Sequence, residues 1–553
     1  MRLCGADIVT ECLIEQGCDT VFGYPGGTIL NIYDALYKKK DKIRHILSAH
    51  EQGAVHAADG YGRSTGKCGV VLATSGPGAT NMVTGIATAY MDSSPLVAIT
   101  CNVSTSLLGK DSFQEIDIVG ITMPITKHNF LIKKTEDIAP ALRRAFKIAT
   151  SGRPGPVLVD ITKDATANEA EYIKEPPATP EKICKFNEDD IKNAVSLLKS
   201  AKKPLIMGGG GIISSNACKE LLELSKKLSA PICTTLMGLG AVSPNLAENL
   251  GMVGMHGTRA SGAAISECDL LIAVGTRFSD RVTLNTEFFA RNAKVIHIDI
   301  DMAEIDKNVH SVCSLCGDAK KILSLINDRL SVNNTSEWLM HCIKQKDCAP
   351  RHMDNGFTPK TAMETLFDIT NGDAIIVTDV GQHQMWCAQY YPISKPRELL
   401  TSGGLGTMGF GLGAAIGAQV GNPDKTVINI AGDGCFHMNM NELSTAARYG
   451  FPVIEIVMNN NVLGMVRQWQ TLFYDGRYSE TTLDKKTDYD LLAKALGANG
   501  FTVRTSDEFS CAVKAAMADK TRPSLINCLI ETDSAVLPMV PGGGNIENPI
   551  MEV

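Results

Sequence analysis

The sequence predicts an α/β protein built from three doubly wound parallel-sheet domains. Aliphatic runs recur along the chain, and each ends in glycines or acids and is followed by a helical stretch. Strands that are apolar on both faces are typical of parallel sheets covered by helices. The 553 residues, 44% hydrophobic and 20% charged, are enough for three globular domains of about 150–180 residues each.

The first domain is predicted over residues 1–165. The opening segment "MRLCGADIVTECLIEQG" has the pattern of an amphipathic helix. Residues 68–104, "CGVVLATSGPGATNMVTGIATAYMDSSPLVAITCNVS", give a strand, a Gly-rich turn, a helix and a second strand. The acidic, Pro-rich stretch 165–187 has no hydrophobic period, so we expect an extended linker there.

The second and third domains are predicted over residues 188–330 and 355–540. The middle one contains the strands "KPLIMGGGG", "CDLLIAVGTRFSD" and "KVIHIDID", each ending in glycines or acids. Glycines after "PLIM" match a dinucleotide-binding turn, which alone is a weak signal. The third repeats the first domain's design at 426–460, "TVINIAGDGCFHMNMNELSTAARYGFPVIEIVMNN".

Charge and hydropathy exclude several classes of protein. The net charge is −7, and no basic run exceeds Lys38-Lys39-Lys40, so we expect neither a nucleic-acid nor a membrane surface. No signal peptide or bilayer-spanning segment is predicted, which favours a cytoplasmic protein.

The chain contains 17 cysteines, which such a compartment would keep reduced. Cys313 and Cys316 are followed by Cys342 and Cys348, a spacing too wide for the usual zinc knuckle. A metal or redox role remains the alternative to packed thiols.

The most informative motif is Gly432-Asp433-Gly434, where an aliphatic strand stops. The next strand ends at Asn459-Asn460-Asn461, so the fold is expected to bring an amide oxygen beside the carboxylate. Such a sparse oxygen set suits Mg²⁺ that is also held by phosphate oxygens. For Gly-Asp-Gly alone, a tight turn with an Asp helix cap is the alternative.

Gly-Asp-Gly followed by Asn-Asn is the signature of thiamine-diphosphate-binding proteins. The chain resembles the large catalytic subunits of acetohydroxyacid (acetolactate) synthases, nearly end to end. The resemblance is carried, in this order, by "VFGYPGGTILNIYDAL", "HEQGAVHAADGYGRSTGKCGVVLATSGPGATN", "DSFQEIDIVGITMPITKHNF", "RPGPVLVDITKD", "GMHGTR", "GTRFSDRV", "GQHQMW", "TSGGLGTMGFGLGAAIGAQ" and "NNNVLGMVRQWQTLF".

The resemblance implies a pyrimidine-binding first domain, an FAD-binding middle domain and a diphosphate-binding third domain. It implies that Glu51 hydrogen-bonds the thiamine pyrimidine ring, that Met408 wedges the two rings into a bent shape, and that Asp433, the Asn460 side chain and the Val462 carbonyl hold Mg²⁺. From the residues alone, a lone acid between "ILSAH" and "AVHAA" is expected to be partly buried, although an exposed acid at a helix start is the alternative. Positions matching the family's thiamine diphosphate site are Gly381, Gln382, His383, Gly406, Met408, Gly432, Asp433, Gly434, Cys435, Asn460, Val462, Gly464 and Met465.

The same resemblance implies that one 2-keto acid is decarboxylated and its two-carbon unit is transferred to a second. Residues matching the family's catalytic and substrate positions are Gly27, Glu51, Phe113, Gln114, Lys163, Arg281 and Trp469. A tryptophan is by default a core or interface residue, so the "VRQWQ" motif carries that assignment. The positions matching the flavin site are Arg153, Gly209, Gly210, His256, Gly257, Thr258, Gly275, Thr276, Arg277, Asp299 and Asp301.

The implied partners are pyruvate and 2-ketobutyrate, a homodimer or tetramer, and a small regulatory subunit, in branched-chain amino-acid biosynthesis. A related carboligase, acetyltransferase or 2-keto acid decarboxylase is the alternative within the cofactor class. A flavin- or nucleotide-binding regulator without thiamine chemistry is the alternative outside it. Thr28, Leu412 and His437 depart from the family pattern, and Thr28 adds a hydroxyl beside the implied reacting centre.

Overall fold

A computed structural model of the protein describes residues 1–181, 183–332, 335–347, 356–483 and 486–552. Its first part contains the strands β1 (Arg2–Cys4), β2 (Thr20–Gly23), β3 (Arg44–Leu47), β4 (Gly69–Ala73), β5 (Leu96–Asn102), β6 (His128–Ile132), β7 (Pro156–Thr162) and β8 (Glu169–Glu171). The helices are α1 (Gly5–Glu15), α2 (Leu30–Lys38), α3 (Glu51–Thr65), α4 (Pro77–Thr80), α5 (Val83–Met91), α6 (Ile118–Thr122), α7 (Ile138–Thr150) and α8 (Lys163–Ala167). The main sheet has the order β3-β2-β4-β5-β7-β6, and all its neighbouring strands are parallel.

Both faces of this sheet are buried, as the apolar strands predict. Val71 of β4 packs with α3 and α5, whereas its neighbours Val70 and Leu72 pack with α1, α2 and α7. Successive strand residues point to opposite faces, so a strand covered on both sides must be apolar throughout.

The predicted linker is partly wrong. β8, within 165–187, pairs antiparallel with β1, which precedes the predicted N-terminal helix. The buried Glu15 carboxylate explains this anchoring, because it accepts hydrogen bonds from the Tyr172 hydroxyl at 2.8 Å and from Arg143 at 2.8 Å. The stretch therefore begins as part of the first domain.

The middle part contains β9 (Cys184–Lys185), β10 (Pro204–Gly208), β11 (Ile232–Thr234), β12 (Asn249–Met252), β13 (Leu270–Val274), β14 (Lys294–Asp299) and β15 (Cys313–Gly317). Its helices are α9 (Glu188–Ser200), α10 (Gly210–Ser214), α11 (Cys218–Leu228), α12 (Arg259–Glu267), α13 (Asp280–Thr283), α14 (Ala319–Arg329) and α15 (Ser336–Asp347). The sheet order is β12-β11-β10-β13-β14-β15-β9, in which only the β15–β9 pair is antiparallel. Its six parallel strands follow the order 3-2-1-4-5-6 of dinucleotide-binding folds.

The last part contains β16 (Ala374–Thr378), β17 (Leu399–Thr401), β18 (Thr426–Gly432), β19 (Ile454–Asn459), β20 (Asn499–Val503) and β21 (Ser524–Leu529). Its helices are α16 (Pro359–Thr370), α17 (Gln382–Tyr390), α18 (Gly411–Gly421), α19 (Asp433–Asn439), α20 (Glu442–Tyr449), α21 (Gly464–Phe473), α22 (Tyr489–Ala495) and α23 (Ser506–Ala518). The all-parallel sheet order β17-β16-β18-β19-β21-β20 repeats that of the first sheet. The fold class predicted from the sequence is confirmed.

Helices α3 and α18 join the first and last parts of the chain at very close range. A Cβ added to Gly417 would collide with the Ala57 carbonyl, and one added to Gly60 would collide with the Ala414 carbonyl. Glycine and alanine therefore set the distance between the two helix backbones. The glycine-rich run after Met408 is thus a helix contact.

Two further predictions concern the boundaries and the cysteines. Residue 355, the predicted start of the third domain, and Cys348 lie outside the described residues.

Cys313, Cys316 and Cys342 are buried free thiols, and within the described ranges no three His, Cys, Asp or Glu residues form a metal-binding group. These observations favour packed thiols.

None of the helices in the described part of the chain is long and apolar enough to cross a membrane.

Candidate active site

The predicted diphosphate and metal residues meet at one edge of the last sheet. Gln382 and His383 follow β16, Asp433 follows β18 and Asn460 follows β19, three strands that are neighbours in the sheet. β17 and β18 flank β16 on opposite sides, so the chain leaves β16 and β18 toward opposite faces of the sheet. This is the position at which doubly wound sheets bind ligands.

Direct contacts join these three strand ends. The Asn460 side-chain amide donates to Gln382 Oε1 at 3.3 Å, and the Val462 backbone N–H donates to Asn460 Oδ1 at 3.3 Å. A Cβ added to Gly432 would lie 2.9 Å from His383 Nδ1. A Cβ added to Gly464 would collide with Gln382 Oε1. Glycine at 432 and 464 therefore leaves the space in which the His383 and Gln382 side chains lie.

His383 is held as a neutral imidazole. Burial lowers the pKa of His383 to about 3, and the backbone of Asp379 opposes that shift. Its Nε2 atom is buried and has no hydrogen-bond partner among the residues that the structure describes. A buried ring nitrogen of this kind is normally satisfied by a ligand or water, so it fits a diphosphate-bearing cofactor.

Met408 lies beside the Gly-Asp-Gly turn. A Cβ added to Gly434 would lie 3.6 Å from Met408 Cε. The loop that carries Met408 is fixed by Asp379, whose carboxylate accepts hydrogen bonds from Gly409 N at 2.7 Å and Gly411 N at 3.1 Å. Burial raises the pKa of Asp379 to about 6.

Sequence reasoning missed Asp379. A polar residue directly after the aliphatic strand "AIIVT" and before Gly-Gln-His was the available signal.

The remaining residues predicted for the thiamine diphosphate site make contacts within the last domain. Cys435 Sγ donates to the Val380 carbonyl at 3.1 Å, Val462 bridges to Thr482, and Met465 packs against the core of the last sheet. Gly381 and Gly406 have φ values of +148° and +73°, which favour glycine.

The donor set at Asp433 fits Mg²⁺ rather than a cage of protein ligands. It contains one carboxylate, one amide oxygen and one backbone carbonyl, and Gly434 N donates to Asp433 Oδ1 at 3.0 Å. Mg²⁺ is typically bound through one or two carboxylates, with phosphates and water completing its octahedron.

Glu51 begins α3 in the first part of the chain. Its side chain is buried, with 9% of its surface exposed, and its Oε2 accepts a hydrogen bond from Asn81 Nδ2 at 2.9 Å. A Cβ added to Gly78 would lie 3.2 Å from Glu51 Oε1. The expectation that this acid is partly buried is confirmed.

The predicted substrate residues fall into two groups. The Arg281 guanidinium lies 5.9 Å from the centre of the Trp469 ring, and Trp469 packs on the middle domain. Gln114 lies against Gly76 in the first domain, with a left-handed φ of +59°. Phe113 is 87% exposed, and Gly27 and Lys163 are exposed as well.

Thr28 is one of the departures from the family pattern. Its hydroxyl donates a hydrogen bond to the Cys101 carbonyl at 2.7 Å and accepts one from Ser75 N at 3.1 Å. The hydroxyl is therefore engaged in holding the "YPGG" turn.

The predicted flavin residues surround the switch point of the middle sheet, between β10 and β13. Here two glycine turns touch, because a Cβ added to Gly211 would lie 2.5 Å from the Gly275 Cα and one added to Gly209 would collide with the Gly275 carbonyl. Gly210 lies against Met237, and the Thr276 carbonyl accepts a hydrogen bond from His297 Nε2 at 2.9 Å.

Charged and polar side chains line the same region. Arg153 pairs with Asp301 at 3.4 Å and with the buried Glu304 at 2.8 Å, and burial raises the pKa of Asp299 to about 6. Burial also lowers the pKa of Arg277 and, to about 4, that of His256.

His256 Nδ1 is buried without a hydrogen-bond partner within the described ranges. Gly257 and Thr258 lead into α12, where Thr258 Oγ1 accepts a hydrogen bond from Ser261 N at 3.2 Å. The tight glycine crossing, the cations and the unsatisfied ring nitrogen fit a large anionic cofactor such as FAD. Sequence reasoning missed Glu304, which the acids of "HIDIDMAEI" could have signalled.

Comparisons with known proteins agree with this geometry. Residues 3–121 match the N-terminal TPP binding domain of thiamine pyrophosphate enzymes, 191–326 the central domain, and 379–528 the C-terminal TPP binding domain. The acetolactate synthase large subunit of Haemophilus influenzae is 43% identical over 565 residues, covering 100% of this chain and 98% of that protein. The chain belongs to the acetolactate synthase large-subunit family of thiamine pyrophosphate enzymes.

Two other members of this family are also similar to the chain over nearly its whole length. The probable acetolactate synthase large subunit of Methanocaldococcus jannaschii is 46% identical over 569 residues, covering 99% of this chain and 95% of that protein. The acetolactate synthase isozyme 3 large subunit of Escherichia coli is 43% identical over 572 residues, covering 99% and 98%. The family resemblance and the thiamine-dependent enzyme class predicted from the motifs are confirmed.

Proposed function

We propose that the protein decarboxylates pyruvate and transfers the two-carbon unit to a second 2-keto acid, either pyruvate or 2-ketobutyrate, in the cytoplasm. The observation that carries this proposal is the junction of Gln382, His383, Asp433 and Asn460 at one sheet edge. Thiamine diphosphate would supply a nucleophilic carbon and an electron sink for decarboxylation.

In this proposal the chain's own residues hold and activate that cofactor. His383 and Gln382 would bind the diphosphate, and Asp433, Asn460 and the Val462 carbonyl would hold Mg²⁺. Glu51 provides a hydrogen bond to the pyrimidine ring, for which its buried position is suited. Met408 lies beside Gly434 and would support the bent arrangement of the two thiamine rings.

The second keto acid needs a cation for its carboxylate and an apolar wall for its alkyl group. Arg281 and Trp469 lie against each other and supply both. Lys163, Phe113, Gln114 and Gly27 complete the pocket from the first domain. FAD would be held by the residues around the crevice between β10 and β13 and would have a structural role, since the net reaction transfers no electrons to a flavin.

The active unit is at least a dimer. Glu51 lies at the start of α3 in the first domain, whereas Gln382, Asp433 and Asn460 follow β16, β18 and β19 of the last domain. The proposal is that Glu51 of one chain completes the site at Asp433 of another. A small regulatory subunit is also proposed, because the relatives are named large subunits.

Product analysis tests the proposed reaction. Purified protein with thiamine diphosphate, Mg²⁺ and FAD is incubated with pyruvate, alone and with 2-ketobutyrate, with Glu51→Gln as the matched control. Acetolactate and acetohydroxybutyrate are expected, with at least about 10²-fold less in the control because proton transfer is impaired. Acetaldehyde as the main product would make the protein a decarboxylase, and equal products from the variant would remove Glu51 from the mechanism.

A further inference from the structure

Helix α20 of the last domain holds the backbone segment that precedes Glu51. At its last residue, the Tyr449 hydroxyl accepts a hydrogen bond from Leu47 N at 2.8 Å. At its first residue, the Glu442 carboxylate accepts from Ala49 N at 3.2 Å and from His50 N at 2.9 Å. The connection between β3 and α3 is therefore tied to a different domain immediately before Glu51.

The Glu442 carboxylate is enclosed. Only 1% of the residue's surface is exposed, and Thr445 Oγ1 donates to Glu442 Oε2 at 2.7 Å. A Cβ added to Gly53 would collide with the carboxylate, so the first turn of α3 leaves the space that Glu442 fills. Burying a carboxylate is costly unless hydrogen bonds compensate it, and here three donors do so.

Glu442 is also close enough to Glu51 for the two charges to interact. Burial raises the pKa of Glu442, the hydrogen bonds from Thr445, Ala49 and His50 oppose the shift, and Glu51 adds to it.

We propose that Glu442 is a positioning residue that fixes the entrance of α3, and so the orientation of Glu51, from the domain that carries Asp433. This inference rests on the proposed role of Glu51. In the proposed dimer, Glu51 works in one active site and Asp433 of the same chain in the other. Glu442 begins the helix that follows α19, so it connects the two sites through a single chain.

The test compares Glu442→Gln with Tyr449→Phe. The first keeps the size of the side chain but puts an amide group against two backbone donors. The second removes one hydrogen bond from the other end of α20, in the same interface but farther along the chain from Glu51. Three quantities are measured on the full-length protein: thermal stability, deuterium exchange of the backbone amides in residues 47–55, and deuterium exchange at C2 of bound thiamine diphosphate.

We expect Glu442→Gln to accelerate amide exchange at Ala49 and His50 without cofactor, and to slow C2 exchange by about tenfold or more, since misplacement of about 1 Å can cost about 10²-fold. Tyr449→Phe should lower stability at least as much yet leave C2 exchange within about twofold of wild type. The inference is overturned if both variants slow C2 exchange equally, or if Glu442→Gln leaves it unchanged. If Glu51→Gln also exchanges C2 at the wild-type rate, the proposed role of Glu51 itself fails.

Discussion

Among single residues, His383 shows how the site uses burial. Its ring lies at the carboxyl end of β16, and a Cβ added to Gly432 would lie 2.9 Å from its Nδ1. An imidazole in this position stays neutral through the physiological range, because burial lowers its pKa to about 3. A neutral imidazole can donate one hydrogen bond to a diphosphate oxygen and accept another, whereas a buried cation would require compensation even without the cofactor.

This burial predicts a pH dependence of stability. The pKa of His383 falls from 6.5 to about 3 on folding, so between these values the unfolded chain binds more protons and stability falls as pH falls. Between pH 7 and pH 5, His383 should lower the free energy of unfolding of the wild-type protein by about 2 kcal/mol, and His383→Gln should remove this loss. The measurement is the thermal midpoint of cofactor-free protein at both pH values. His310→Gln, at an exposed histidine, should behave like wild type, and an equal pH effect in both variants would contradict the prediction.

Helices α3 and α18 are the elements on which the site's geometry depends most. They cross so closely that Gly60 and Gly417 each face a carbonyl of the other helix. α3 begins with Glu51, and α18 follows directly from the Met408 loop, so this one contact fixes the relation between two predicted cofactor residues within a chain.

Gly417→Ala should therefore destabilise the protein. The added methyl group collides with the Ala57 carbonyl, an overpacking expected to cost about 1–3 kcal/mol, although alanine favours the helix by about 1 kcal/mol. The thermal midpoint measures the effect. Gly262→Ala is the matched control, because that helical glycine has its nearest atom, the Ile546 carbonyl oxygen, at 3.3 Å. A Gly417→Ala midpoint at or above that of the control would refute the close contact.

Strands that end at a recognisable motif were predictable from the sequence. The strand before Gly432-Asp433-Gly434 and the strand before Asn460 end where the motifs require, and the parallel sheet brings them together. Glu442 was not predictable, because its partners Ala49 and His50 come from another domain and no spacing along the chain encodes that contact. The pairing of β1 with β8 was also missed, because no spacing along the chain encodes a contact between the two ends of the first domain.

In the whole molecule, the first and last domains have the same architecture. The first and last sheets share one strand order, each is parallel throughout, and they are joined through α3 and α18. Each carries half of the proposed thiamine site, Glu51 at the start of α3 and Asp433 at the start of α19. The contacts that join the two domains in one chain hold the backbone of Ala49 and His50 at Glu442, and in the proposed dimer each half-site is completed by another copy.

Mixing two inactive variants tests this arrangement. Glu51→Gln and Asp433→Asn should each abolish most activity, since one impairs proton transfer and the other metal binding. If the halves come from different chains, each mixed dimer contains one site with both substitutions and one with neither. Equal amounts that exchange subunits freely should then recover about a quarter of the wild-type rate, because half of the dimers are mixed and half of their sites are intact. If each site were built from one chain, every site would retain one substitution, and the mixture would remain as inactive as its components.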